Sequence, residues 1–235
     1  MAGRPQRLTS LGSDAVAKIR DALMNGTLVP GQRIRETDLA ERFSMSRTPV
    51  REAIHMLRAK GLVSHQDGVL VITQLDRRLL DEIYAMRETL EGMSARLAAT
   101  NAKPQDIEDL NILIANEAKA TAAHQRSQFN VKFHSLLAVL ASNRYLSRAI
   151  EDLSEKLILL GPTTLADDGR FAEARSEHAA IVAAIAAGDA GTAETRMRAH
   201  VRAASRARRI MTLWELEGGP DKAGASLAAA QGPKE

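Results

Sequence analysis

Residues 44–54 read SMSRTPVREAI, the opening of a helix that carries a proline and two arginines in its first turns. Ser46 is an N-cap residue type, which puts Pro49 at the third helical position, where a missing N–H has no intrahelical partner to lose. The proline stiffens the helix start and does not break it. Arg47 and Arg51 are spaced i, i+4 and leave the same helix face. Like charges stacked in this way cost some stability, a cost most readily accepted where something negative lies opposite. Val50, Ile54 and Leu57 form the apolar stripe behind them, and Gly61 supplies the C-terminal stop.

Upstream, ETDLAERFSM (residues 36–45) is a short helix with Leu39, Ala40 and Phe43 inward. A Pro-Gly turn and a short extended piece in LVPGQRI precede it. Gly12–Asn25 is a first helix, with Val16, Ile19, Leu23 and Met24 at helical spacing, Ser13 as cap and Gly26 as stop. Downstream, LVSHQDGVLVITQ holds two β-prone runs that pivot at Asp67-Gly68, a hairpin signal. Three helices and a hairpin make a winged helix-turn-helix, expected over residues 10–74. The helix that opens at Ser46 is then the one whose start meets base edges and phosphates.

After residue 74 the periodicity is helical throughout. LDRRLLDEIYAMRETLEGMSARLAAT predicts a long helix with Leu79, Leu80, Ile83, Met86, Leu90 and Leu97 on one broad face. Five more helical segments follow, interrupted at Gly161-Pro162 and Gly188, so residues 75–216 are expected to form an α-helical bundle. The fold class is mainly α, a winged helix-turn-helix followed by an all-α bundle. Residues 1–9 are expected to be flexible and 217–235 a disordered tail.

The 235 residues carry a net charge of +3 and no cysteine, which excludes disulfides, thiolate metal sites and a cysteine nucleophile. Residues 1–73 hold eleven Lys/Arg against seven Asp/Glu, the remainder 21 against 22. A basic module joined to a near-neutral one suits a nucleic-acid reader with a partner domain. The polar, basic start and the lack of an 18-residue apolar run predict a cytoplasmic chain that needs no membrane.

Three histidines in the bundle segments have apolar neighbours at helical spacing: His134 with Leu137, His178 with Ile181 and Val182, His200 with Met197 and Ala204. All three are expected to point inward. Asn130, one turn before His134, adds an oxygen, and a set of three nitrogens and one oxygen suits Zn²⁺ or Ni²⁺ better than Mg²⁺ or Ca²⁺. The plain alternative is a metal-free polar cluster in the core. His55 and His124 lack such company and read as surface residues. Arg87 is expected to be partly buried and to take an anion, either Glu91 at i+4 or the carboxylate of an effector. HVRAASRARR in the last helix reads as a solvated or dimer-facing stripe. Three histidines could also activate water in a metal-dependent hydrolase. No HExxH is present and no acidic base can be assigned beside them, Glu177 pointing elsewhere on its helix.

The run LVPGQRIRETDLAERFSMSRTPVREAIHMLRAKGLV closely resembles the DNA-binding module of GntR-family transcriptional regulators. FNVKFHSLLAVLASNRYL and SEHAAIVAAIAAGDAGTAETRMRAHV resemble the signature segments of the effector-binding domain in the FadR branch of that family, the FCD type. Together they cover roughly residues 10–215. The resemblance implies a homodimeric, ligand-responsive repressor or activator on a short palindromic operator, with a divalent metal held in many members by an acidic residue and three histidines. Arg35, Ser46, Arg47, Thr48 and Arg51 match positions that touch operator DNA, Gly68 matches the wing tip, and His65 precedes the wing. Where the family's helix reads Asp-x-x-Phe-His this chain has Asn130-Val131-Lys132-Phe133-His134, an amide in place of a carboxylate. His178 and His200 match the other two histidines. Such a ligand set is uncharged, so a small organic acid is expected to complete it.

Overall fold

A computed structural model describes residues 10–161 and 163–216. The head runs α1 (Ser10–Met24), α2 (Glu36–Arg42), α3 (Arg47–Ala59), β1 (Val63–Gln66) and β2 (Val69–Ile72). The first helix begins at least three residues before the expected Ser13 cap, which therefore lies inside it. Between α2 and α3 the chain turns through Phe43–Ser46, with Ser44 at φ 53°. The wing strands pair antiparallel from Val63↔Ile72 to Gln66↔Val69. Asp67 and Gly68 both take positive φ, 51° and 78°, the backbone a tight two-residue hairpin requires. The extended piece before α2 meets the wing in an isolated antiparallel bridge, Arg33↔Val71: Ile34 N–H donates to Leu70 O at 2.9 Å and Ile72 N–H to Gln32 O at 2.9 Å.

The bundle comprises α4 (Arg77–Asn101), α5 (Pro104–Glu117), α6 (Ala123–Leu140), α7 (Arg144–Lys156), α8 (Asp168–Ala186) and α9 (Ala190–Leu216). The segment expected as one helix to Leu160 instead tightens after Lys156 into a 3-10 turn, Leu157–Leu160, and Gly161 leaves it at φ 70°. Asp76 caps α4 by accepting from Leu79 N–H at 2.7 Å. The longest helix, α9, packs along α4, and mid-helix Gly92 explains how closely: a Cβ there would stand 2.8 Å from Arg198 Cγ. Ion pairs lace the two helices, Glu88 with Arg202 at 2.6 Å and Asp81 with Arg209 at 2.7 Å. The basic segment of α9 is thus paired on one side, while Val201 and Arg208 are buried.

The broad face expected for α4 holds in part, Leu90 and Leu97 packing against a core cluster with Ile150. Leu80 and Ile83 are buried, but Leu79 and Met86 lie 41% and 49% exposed. The inward face is instead completed by Tyr84, Arg87, Glu91, Ser94, Ala95 and Ala98. A buried ion pair occupies the position that an apolar stripe would have filled. The flexible N-terminus and disordered tail expected from the sequence lie outside the described residues.

Candidate functional site

His134 on α6, His178 on α8 and His200 on α9 all point inward, as their apolar neighbours predict, and meet in the bundle interior. One ligand-capable atom from each lies within 4.8 Å of the others. Burial follows from the flanking core: His178 is 0% exposed, and Phe133 stacks on it with ring centroids 4.0 Å apart.

Each imidazole is backed by a carboxylate that its sequence neighbourhood did not reveal. His178 Nδ1 is bonded to both oxygens of Glu117 at 3.0 and 3.1 Å. His200 Nδ1 is bonded to Glu177 Oε2 at 2.6 Å; His134 Nδ1 stands 2.7 Å from Glu91 Oε2, close enough for an ion pair but out of line for a hydrogen bond. A ring that donates its Nδ1–H to a carboxylate keeps its Nε2 lone pair free, the tautomer a metal ligand needs. The Nε2 atoms of His134 and His200 lie 3.3 Å apart, and that of His178 is buried without a partner. An unpaired buried nitrogen on one ring of such a cluster is what a cation among the three would satisfy. The residues therefore fit a divalent metal.

Glu177 was expected to point away from the histidines because it adjoins His178. It does point away from His178, and in doing so reaches His200 on α9. Two arginines steady the carboxylates: Arg87 Nε donates to Glu91 Oε1 at 2.6 Å, and Arg170 Nη2 donates to Glu177 Oε2 at 2.9 Å. Arg87 is more deeply buried than the sequence suggested, with its guanidinium over the Tyr84 ring. The inference that the protein brings no negative charge to the site does not hold, since three carboxylates stand behind the imidazoles.

Burial pushes the His200 pKa down to about 3 against the pull of Glu177, and burial also lowers that of His178 against Glu117. Burial opposes ionisation of Glu91, but the Arg87 charge and His134 outweigh it and hold the carboxyl well below its usual range. For Glu177 the hydrogen bonds from His200 and Arg170 likewise outweigh burial. His178 and His200 are thus held neutral, and Glu91 and Glu177 ionised, at neutral pH. Asn130 is half-buried, one turn before His134 on α6.

On the head, a shallow groove of about 360 Å³ between the start of α3 and the wing is lined by Arg35, Arg47, His65 and Gly68, with Glu36 and Thr37 among its walls. Ser46, Thr48 and Arg51 are exposed on the neighbouring surface. Ser46 caps α3 by backbone geometry alone, its side chain making no capping bond. Arg47 is 70% exposed and only loosely paired, 3.9 Å from Glu36.

Two family models match the chain: "Bacterial regulatory proteins, gntR family" over residues 11–72 and "FCD domain" over 82–203. The chain belongs to the GntR family of bacterial regulatory proteins and carries an FCD domain. It is 34% identical over 143 residues to the HTH-type transcriptional regulator YdhC of Bacillus subtilis, a match over 59% of this chain and 64% of YdhC, less than two thirds of that relative. It is 31% identical over 206 residues to a protein of Paenarthrobacter nicotinovorans named "Probable D-xylose utilization operon transcriptional repressor", covering 84% and 89% of the two chains. The solved structure of E. coli McbR/YncC shares its fold, with a TM-score of 0.70 at 24% identity over 90% of this chain and 100% of that one. A GntR-family chain of this make-up is a DNA-binding transcriptional regulator and not an enzyme, which removes the hydrolase alternative. Among the described residues no helix is long and apolar enough to cross a membrane.

Proposed function

We propose that this GntR-family regulator is a cytoplasmic repressor of the FadR branch that binds a short palindromic operator as a homodimer and responds to a small organic acid through a divalent metal in its FCD domain. The observation that carries the sensing half is the convergence of three buried imidazoles, one ligand-capable atom of each within 4.8 Å of the others, each with a carboxylate beside its Nδ1. His134, His178 and His200 would hold the ion, Zn²⁺ or Ni²⁺ by donor chemistry, with the Asn130 amide oxygen as a weak fourth ligand. Such an ion supplies a Lewis-acidic centre to which a carboxylate attaches. Glu91, Glu117 and Glu177 orient the rings and raise their basicity. Arg87 is assigned to the effector site on sequence grounds; its bond to Glu91 favours a structural role there.

For the DNA-reading half, the exposed start of α3 supports insertion in the major groove. Arg47 and Arg51 can fork onto guanine or phosphate, and Ser46 and Thr48 can donate to phosphate oxygens. Arg35 borders the same groove, and the Asp67-Gly68 tip with nearby His65 suits the minor groove. Two-fold symmetry of a homodimer matches a palindrome. The row Leu79, Met86 and Met93 on α4, all exposed and seven residues apart, offers a second copy three apolar side chains in line. The relative named as a repressor supports repression.

A metal-free hydrogen-bonded cluster remains the second reading, favoured by the 3.3 Å approach of His134 Nε2 to His200 Nε2. It leaves His178 Nε2 unsatisfied, and the metal reading does not. A gel-shift assay on DNA from upstream of the chain's own gene, with Zn²⁺ and a panel of small carboxylates, tests the proposal. Retarded DNA that one carboxylate releases only in the presence of metal is expected; release that is indifferent to a chelator contradicts it.

A further inference from the structure

The 3-10 turn Leu157–Leu160 stands between the head and the bundle with a foot in each. Leu159 is 3% exposed and belongs to the core of the head, with Ile19, Val50 and Leu57. Leu160, the next residue, packs against the core of the bundle, with Met197 and Val201. Its carbonyl accepts from Arg208 Nη1 at 2.9 Å, and Arg208 lies on α9 eight residues after His200. At the other end of the segment, Glu155 in the last turn of α7 pairs with two cations of the head. One is Lys60, the C-cap residue of α3; the other is Arg20 on α1, 3.3 Å away. Glu155 is only 11% exposed, so its pairs are screened less than those of surface carboxylates.

We propose that Glu155 and Leu159, which lie in the bundle by sequence, are positioning residues for DNA reading and carry occupancy of the histidine cluster into the recognition helix α3. The inference rests on the metal reading given above. A ligand that moves or stiffens α9 at His200 acts on Leu160 through Arg208. Leu159 cannot follow independently, because adjacent residues of one turn are anchored in two close-packed cores. Glu155 extends the same rigid segment to the C-terminal end of α3, where a lysine already complements the helix dipole and any displacement reorients the helix as a body.

Hydrogen exchange of the full chain, stripped of metal and then saturated with Zn²⁺, tests the link. In the parent, zinc should slow exchange on α8 and α9 and change it in residues 56–62 by about fivefold or more, the low end of ordinary coupling between sites. Glu155→Gln and Leu159→Ala should keep the zinc affinity and the response of α8 and α9 while the response of 56–62 falls below about twofold. Glu155→Gln preserves shape and removes only the ion pairs, so it remains informative if Leu159→Ala fails to fold. Zinc bound with no change in 56–62 of the parent overturns the link and leaves the metal site standing. A parent-like response in either variant overturns the role of that residue. A parent that takes up no zinc overturns the metal reading and the link with it.

Discussion

His134 Nε2 and His200 Nε2 face each other at 3.3 Å, each on a ring whose Nδ1 is turned to a glutamate. Two acceptor lone pairs at that distance repel unless a proton or a cation lies between them. A proton on Nε2 of a neutral His134 serves in a metal-free cluster; a cation serves the unpartnered Nε2 of His178 as well.

Glu117→Gln should weaken metal binding by about 10–100-fold, because an amide is a poorer acceptor for the His178 Nδ1–H than a carboxylate. The fold should persist, since a hydrogen bond of reduced strength survives. Zinc titration with circular dichroism on the same samples checks both. Unchanged zinc affinity would show that Glu117 fills space and does not tune the ligand.

Metal-free protein should lose stability as pH falls from about 6.5 towards 3. His200 and His178 have folded pKa values below the unfolded value of 6.5, so in this window the unfolded chain binds protons that the folded chain does not. The contribution is complete above pH 6.5 and declines by about 1.4 kcal/mol per pH unit for each fully differential proton. Glu91 and Glu177, with lowered pKa values, add loss of the same sign below the normal carboxylate range. Thermal melts in chelator between pH 7.5 and 4.5 should show Tm falling with acid; a Tm flat across pH 6.5–5 would mean that the histidines are not held neutral.

The bundle was legible in its helical periodicity, and the inward aim of the three histidines in their i+3 and i+4 neighbours. Their carboxylates were not: Glu91 is legible only as a partner for Arg87, Glu177 reads as pointing elsewhere, and Glu117, a lone acid on a third helix, as solvated. Two faint signals existed. Glu91 lies in the register of the buried face of α4, four residues from Arg87. Glu117 ends α5, where the helix dipole disfavours an acid and a tertiary partner must compensate. The misplacement of Leu79 and Met86 has the same origin: the face of α4 that the core uses is partly ionic, so hydrophobicity alone drew the inward face too broad. The seating of Leu159 in the head depends on how two cores meet, which no local pattern encodes.

Arg47→Ala and Arg51→Ala should each weaken specific DNA binding by about 1–3 kcal/mol, the range for a good base or phosphate contact. Both side chains are exposed, so folding should be unaffected. Footprinting on DNA selected by the parent from a random pool measures the loss, and variants that footprint like the parent would place the reading face elsewhere.

Met86→Glu should turn a dimer into a monomer, since two-fold pairing of the α4 row Leu79, Met86 and Met93 would bury the new carboxylate. Light scattering after size exclusion gives the mass. A variant that stays dimeric would move the interface off α4.

The central claim is that the histidine cluster binds a metal which a small carboxylate then completes. Calorimetry of Zn²⁺ into metal-stripped protein, with and without a panel of small carboxylates, tests it most directly. One ion per chain is expected, bound more tightly when the right carboxylate is present, with uptake abolished in His178→Ala. Asn130→Asp should raise zinc affinity without the carboxylate and shrink the carboxylate's effect. A parent that binds no divalent ion even at high micromolar concentration would contradict the claim and make His134, His178 and His200 a hydrogen-bonded polar core.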